Sequence, residues 1–332
     1  MKGPGLTRRR GGAGDRVAAA AGIALMAPGR AVPMVWEGLV LGGHARICLY
    51  HADRRAALEM IVAALAEIDR LEGMFSLHRS DSLLVQLNRM GVLEATPPDL
   101  RRLLAEAMRF SRLSGGAFDV SVQPLWDLYA AHFADPNADP AGPRPAAVAE
   151  SLTRVGASGI VADPKGSVRF ARPGMALTFN GIAQGYITDR VADVLRMHGA
   201  TTALLCLGET LALGARGFFV GIADPRAPAR ALLTVPLSAG EALATSGGYG
   251  HRFAVGSPCH HLFDPATGRC AHRWASVSVI ATTATAADAL STAFSVMPFE
   301  SVAATLAPAG GREALLLDTN GHLTRLQGGV SV

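Results

Sequence analysis

Three short segments of this chain carry residue types that could do chemistry together. In Ala287-Asp288-Ala289-Leu290-Ser291-Thr292, Asp288 and Thr292 stand four apart in a stretch, Ala284 to Met297, that reads as a helix. That spacing puts both side chains on one face, with Ser291 beside them. A carboxylate with hydroxyls offers hard oxygen donors of the kind Mg²⁺ takes, with water and substrate phosphates filling the remaining positions. Taken singly, an acid near a helix start is more often a cap, and a buried threonine more often bonds its own backbone. The second segment, Thr178-Phe179-Asn180-Gly181, leads a predicted strand (Ala176 to Phe179) into a predicted helix (Ile182 to His198). Such a junction presents unpaired N–H groups and a helix dipole to an anion, and Gly181 permits close backbone approach. The third is His260-His261-Leu262-Phe263-Asp264-Pro265-Ala266-Thr267-Gly268. An imidazole near a phosphate can accept a proton from an attacking hydroxyl, and the Asp-Pro and Thr-Gly pairs shape the turn that would hold it.

The elements that must position these residues follow from periodicity. Leu58, Ile61, Val62, Leu65, Ile68 and Leu71 recur at helical spacing, so Arg54 to Met74 is predicted as a long amphipathic helix. A strand is predicted before it, Leu39 to Tyr50, which Gly42 and Gly43 bulge or break. A short helix over Ser82 to Asn88, capped by Ser80 or Asp81, precedes a helix opened by Pro97-Pro98 and running to about Ser114. Residues 134–145 have loop or linker composition. Asp163-Pro164-Lys165-Gly166 marks a hairpin between Gly159 to Ala162 and Ser167 to Phe170. Gly199 closes the helix that starts at Ile182. Thr201 to Leu207, Phe218 to Ala223, Ala231 to Leu237 and Ala275 to Ala281 read as strands, and Asn320-Gly321 predicts a type I′ turn between the last two, Glu313 to Thr319 and His322 to Gln327. Helices gather early and strands late, which makes the fold class α+β with a largely antiparallel core sheet flanked by helices.

Composition narrows the function classes. At 332 residues, 49% hydrophobic and 17% charged, the chain can bury a substantial core. Its net charge of +4 owes much to Arg8, Arg9, Arg10, Arg16 and Arg30. The remainder is close to neutral, which leaves no basic patch for nucleic acid. Thr7-Arg8-Arg9-Arg10, the alanine-rich run Val17 to Met26 and the small residues after it make residues 1–33 a twin-arginine export signal, with a disordered leader of a cytoplasmic protein as the alternative. The run is too short for stable membrane insertion, which takes about 20 apolar residues. Cys48, Cys206, Cys259 and Cys270 lack zinc spacing. Cys259 and Cys270 flank the His261 loop and could pair as a disulfide; small apolar filling is the commoner use.

Together these segments resemble the flavin transferases, the ApbE-like family that moves FMN from FAD onto a protein hydroxyl. The likeness runs from near Trp36 to the last strand, residues 34–332 forming the flavin transferase domain, and includes Gly116-Ala117-Phe118-Asp119-Val120-Ser121-Val122-Gln123-Pro124-Leu125 and Ser246-Gly247-Gly248-Tyr249. It implies an enzyme that transfers FMN from FAD to a Ser/Thr hydroxyl of an acceptor redox flavoprotein and releases AMP. It also implies a Mg²⁺ site at Asp288, Ser291, Thr292 and the Gly181 carbonyl, FAD contacts at His78, Ala117, Phe118, Asp119, Thr178, Gln184 and His261, and His261 as the acid/base. His260 has no counterpart in the pattern. The chain departs from its relatives at His78 (usually Tyr or Trp), Thr178 (often an acid), Gln184 (often Lys or Glu) and Glu209 (usually Gly). A non-catalytic flavin-binding or delivery protein and a Mg²⁺-dependent FAD pyrophosphatase are the alternatives. Export fits acceptors that are themselves exported or membrane-associated, in the periplasm.

Overall fold

A computed structural model describes residues 33–331, apart from 215, 216 and 329. The leader, except its last position, lies outside the described residues. The single strand predicted over Leu39 to Tyr50 is instead a hairpin, β1 (Met34–Val40) and β2 (Gly43–Leu49), with Val40 opposite Gly43. Its two-residue turn needs positive φ at both positions, and Leu41 (φ 49°) and Gly42 (φ 83°) supply it. For a leucine that conformation is strained. The turn is tied down by α1 (Arg54–Phe75), whose Glu72 carboxylate accepts the Leu41 N–H at 2.5 Å.

Helix α1 starts where Asp53 caps the amides of Arg55 and Ala56, and it buries Ala57, Ile61, Ala64, Ile68 and Leu71 along one stripe. Ser82 itself caps α2 (Leu83–Met90), accepting the Val85 N–H at 3.1 Å, where Ser80 or Asp81 had been expected. Gly91 ends that helix at φ 73° and leads to β3 (Val92–Leu93) and α3 (Pro98–Leu113). Two short helices with no strong sequence signal follow, α4 (Gln123–Phe133) and α5 (Pro145–Leu152). Between them Asp135 and Asp139 close turns onto the amides of Asn137 and Ala141, 2.9 Å each. The hairpin β4 (Ile160–Ala162) and β5 (Val168–Phe170) forms with β3 a small separate sheet.

The strand expected over Ala176 to Phe179 joins no sheet. Its residues alternate buried and half-buried, and in place of a neighbouring strand the Asn88 side-chain amide donates to the Leu177 carbonyl at 2.8 Å and accepts its N–H at 2.7 Å, while the Thr178 N–H bonds the Val120 carbonyl at 2.8 Å. It feeds α6 (Ala183–Met197), after which Gly199 adopts φ 89°. The remainder runs β6 (Thr202–Cys206), β7 (Thr210–Gly214), β8 (Phe218–Asp224), β9 (Ala227–Leu237), β10 (Ala242–Ser246), β11 (Trp274–Ala281), α7 (Ala284–Phe294), α8 (Phe299–Leu306), β12 (Gly311–Asp318), β13 (Leu323–Gln327) and β14 (Val330–Ser331). The β12–β13 connection is not the expected two-residue type I′ turn. Asp318 and His322 pair at 2.9 Å around a three-residue loop in which Gly321 alone has positive φ.

Among the described residues nine strands form one antiparallel sheet in the order β1-β2-β6-β7-β10-β11-β12-β13-β14. Leu205, Leu211, Ala244, Val277 and Val279 face a core shared with α1, α6 and α7. Leu204, Ala212, Leu243, Ile280 and Leu315 face the other way, under Phe218, Val220, Ile222 and Val235 of the β8–β9 hairpin. Because both faces are covered, the central strands read as unbroken aliphatic runs rather than alternating ones. The architecture is α+β: helices, sheet and covering hairpin in three layers.

Candidate active site

Helices α6 and α7 cap one another. Asp189 of α6 accepts the Ala284 N–H at 2.8 Å and the Thr285 N–H at 2.9 Å, satisfying the start of α7 together with Thr283, which accepts from Ala286 at 3.1 Å. In return Asp288 of α7 accepts the Gly185 N–H at 3.0 Å, in the first turn of α6. This reciprocal arrangement satisfies amides that a helix cannot bond internally, and it fixes Asp288 beside the N-terminus of α6. Two glycines let the helices meet. A Cβ at Gly185 would lie 2.9 Å from the Asp288 Cβ, and one at Gly181 2.9 Å from the Thr292 hydroxyl. Thr292 thus faces Gly181 and Asp288 faces Gly185, and Ser246 at the end of β10 bonds Ser291 at 2.8 Å and Thr292 at 3.4 Å through their hydroxyls.

These groups open onto a cavity of about 450 Å³, within the usual range for small-molecule sites. Ala117, Phe118, Asp119, Thr178, Gly181, Gln184, His261, Asp288 and Thr292 all line it. Ser291 stands just behind, bonded to the lining Ser246. His78 is the exception: it is not a lining residue, and its imidazole instead lies against Gly42 at the β1–β2 turn. Phe118 is 3% exposed and packs edge-on against Phe110, so it is a core ring showing one edge to the cavity rather than a free stacking platform. Both Asp119 oxygens are engaged, one by the Ser121 N–H and hydroxyl (2.7 and 2.6 Å), the other by the Ala157 N–H (2.8 Å), which makes it a clamp on the loop. Gln184 reaches the Val40 carbonyl at 3.4 Å, and Thr178 accepts the Asn180 N–H at 3.2 Å.

His261 stands at the cavity wall, half-buried. Its Nδ1 lies 3.1 Å from the His251 carbonyl, which can only accept, so Nδ1 carries the proton and Nε2 keeps the lone pair. Burial pushes its imidazolium down to about 4, which leaves the ring neutral near pH 7. His260 is held differently. It is 6% exposed, bonded at 2.6 Å to the Ala271 carbonyl, and likewise pushed by burial to about 4, so it braces the loop. All four cysteines are free thiols, so Cys259 and Cys270 do not pair, and Cys270 instead donates to the His260 carbonyl at 3.1 Å.

The model of the ApbE family matches residues 41–316. The chain belongs to the ApbE family. It is 32% identical over 309 residues to the FAD:protein FMN transferase of Treponema pallidum, covering 84% of this chain and 83% of that one. The FAD:protein FMN transferase of Salmonella typhimurium is 26% identical over 276 residues, 79% and 78% of the two chains. Among solved structures, the ApbE protein of Thermotoga maritima superposes with a TM-score of 0.80 at 27% identity, covering 89% of this chain and 97% of the other. The apo flavinyl transferase ApbE of Pseudomonas stutzeri gives 0.73 at 25% identity, covering 92% and 96%. The antiparallel sheet flanked by helices is thus the ApbE fold, and the family is one of transferase enzymes.

Within this ApbE site, the donors fit a hard cation. Asp288 is 3% exposed; one of its oxygens takes the Gly185 N–H, while the other accepts no hydrogen bond among the described residues. Burial pushes its carboxyl up to about 7, so the charged form lacks compensation. The neighbouring donors are the Thr292, Ser246 and Ser291 hydroxyls and the Gly181 backbone, all oxygen, as Mg²⁺ prefers. Among the described residues no three His, Cys, Asp or Glu side chains cluster as a metal site. Sequence reasoning missed the walls Trp126 and Val220 to Ala223, which only the fold brings to this cavity. For Trp126 the signal was an aromatic two residues after the Gln123-Pro124 pair that opens α4.

Proposed function

We propose that this chain transfers FMN from FAD to a Ser/Thr hydroxyl of an acceptor flavoprotein and releases AMP, with Mg²⁺ required. The observation that carries this reading is convergence: one cavity brings together a neutral histidine whose Nε2 has no partner among the described residues, the N-terminus of α6 and a buried carboxylate–hydroxyl set. In the reaction the acceptor oxygen forms a bond to the FMN-side phosphorus, the bond from that phosphorus to the AMP oxygen breaks, and the hydroxyl proton passes to His261 Nε2. Asn180, Gly181 and Gln184 line the cavity at the start of α6, where the helix dipole favours the pyrophosphate. Asp288 and Thr292, with the Gly181 carbonyl, would hold Mg²⁺, whose chemistry is to neutralise charge building on the phosphoryl oxygens during in-line displacement. The relatives named FAD:protein FMN transferase support the substrate pair.

The acceptor is a redox protein bearing a short Ser/Thr motif, and the Thr7-Arg8-Arg9-Arg10 leader supports export by the twin-arginine route to the periplasm, with the cytoplasm as runner-up. No described helix is long and apolar enough to cross a membrane. Removal of divalent ions tests the metal requirement. AMP release from FAD in the presence of acceptor should fall to background after dialysis against a chelator and return with added Mg²⁺. Undiminished release in the chelated protein would count against the metal assignment.

A further inference from the structure

Glu209 is a buried carboxylate that the proposed reaction does not use. It occupies the tip of the β6–β7 hairpin, where Cys206 pairs with Thr210, Gly208 turns the chain at φ 100° and the Leu207 N–H bonds the Glu209 carbonyl at 2.9 Å. Its backbone is therefore fixed from both strands. The side chain is 8% exposed and lines the same cavity as Asp288. The hairpin tip and Asp288 both rest on the first turn of α6: a Cβ at Gly208 would meet the Gln184 amide at 2.5 Å, and one at Gly185 would meet the Asp288 Cβ at 2.9 Å.

Neither carboxylate is balanced by a described Lys, Arg or His. Glu209 is 8% exposed and lines one cavity with Asp288, so its carboxylate is withdrawn from water beside a second one. Asp288 is 3% exposed in the same cavity, and only one of its oxygens accepts a hydrogen bond among the described residues. Two buried carboxylates in one cavity, with no cationic partner among the described residues, are unfavourable unless protons or a bound cation compensate them. A site with a single carboxylate would rely on substrate phosphates to retain Mg²⁺; a second carboxylate matches the dication's charge before any substrate arrives.

We propose that Glu209 is the second carboxylate of the cation site and makes the divalent cation resident in the absence of FAD. This rests on the Mg²⁺ site of the proposed function and adds to it a ligand and an order of binding. The test is calorimetric titration of Mg²⁺, and separately Mn²⁺, into the metal-stripped full chain without FAD, comparing wild type with Glu209→Gln, Glu209→Gly and Asp288→Asn. Wild type should bind the ion, and both Glu209 substitutions should weaken it by about 10- to 100-fold, the scale that even outer partners of metal ligands show. Melting of the metal-free proteins gives a second readout: Glu209→Gln should melt at or above wild type because like-charge repulsion is relieved, while its gain in melting temperature on adding Mg²⁺ should shrink. Wild-type affinity in a folded Glu209 variant, with binding lost in Asp288→Asn, would overturn the role of Glu209 and leave the metal site standing. Unchanged affinity in all three variants would overturn both. Binding by wild type only when FAD is present would overturn the resident cation.

Discussion

Asp288→Asn should lower the rate of flavin transfer by about 10³-fold or more, equivalent to about 4 kcal/mol of transition-state stabilisation, while the protein remains folded. The substitution separates two tasks of one side chain. As a cap, Asp288 accepts the Gly185 N–H, and the asparagine carbonyl can still do so. As a metal ligand it supplies a charge, and asparagine cannot. Asp288→Ala is harsher, because it also strands the Gly185 amide at a cost of about 1–3 kcal/mol, so its lower activity would mix stability with chemistry. Relief of carboxylate burial should keep the melting temperature of Asp288→Asn near wild type in the absence of metal. AMP release at saturating FAD, with circular dichroism on the same sample, measures both quantities. A folded Asp288→Asn protein that transfers flavin at the wild-type rate would remove the metal from this site.

His261→Gln should lower kcat by about 10²- to 10⁴-fold, the usual contribution of a positioned general base. Glutamine keeps a polar side chain in the loop but has no basic nitrogen. The pH profile distinguishes a base from a brace. Because burial holds the His261 imidazolium down at about 4, the neutral ring persists from pH 7 down toward that value. At saturating Mg²⁺, which keeps Asp288 ionised, wild-type kcat should therefore show an acid limb from His261 as pH approaches about 4, where Nε2 becomes protonated. The His261→Gln protein should lose that acid limb as well as the rate. His260→Gln supplies the contrast, since its ring bonds the Ala271 carbonyl and works on the shape of the loop; it should lower stability and leave the pH profile of the surviving activity unchanged. A His261→Gln enzyme with wild-type kcat would assign the proton to another acceptor.

Helices with a long apolar stripe were legible because their period is local. The α1 stripe and the Asp288–Thr292 spacing on α7 each lie within a few turns of chain. The elements that escaped were short or compositionally ambiguous: β10 is alanine-rich and 5 residues long, and α4, α5 and α8 are only 11, 8 and 8 residues long. The segment at Ala176 to Phe179 has strand composition, yet its partners are the Asn88 side chain, 89 positions before Leu177, and the Val120 carbonyl rather than a strand. The same distance problem hid the organisation of the site. Asp288 reaches Gly185 across 103 positions and Asp189 reaches Thr285 across 96, so the reciprocal capping of α6 and α7 has no local signature. Motif resemblance named most of the cavity lining in advance because those residues sit in short ordered runs. It did not reveal that Phe118 is committed to the core, that Asp119 is a clamp, or that His78 stands at the β1–β2 turn.

The most direct test of flavin transfer is a single incubation of the purified chain with FAD, Mg²⁺ and an acceptor domain carrying the family's Ser/Thr motif, followed by in-gel flavin fluorescence of the denatured acceptor and quantification of AMP. Covalently fluorescent acceptor and AMP in equal amounts, both lost when the acceptor hydroxyl is removed by Ser/Thr→Ala, are the outcome expected of a transferase built on Asp288 and His261. AMP with free FMN and no labelled acceptor would instead make water the nucleophile, and FAD bound without either product would leave a flavin-binding protein that does not catalyse transfer.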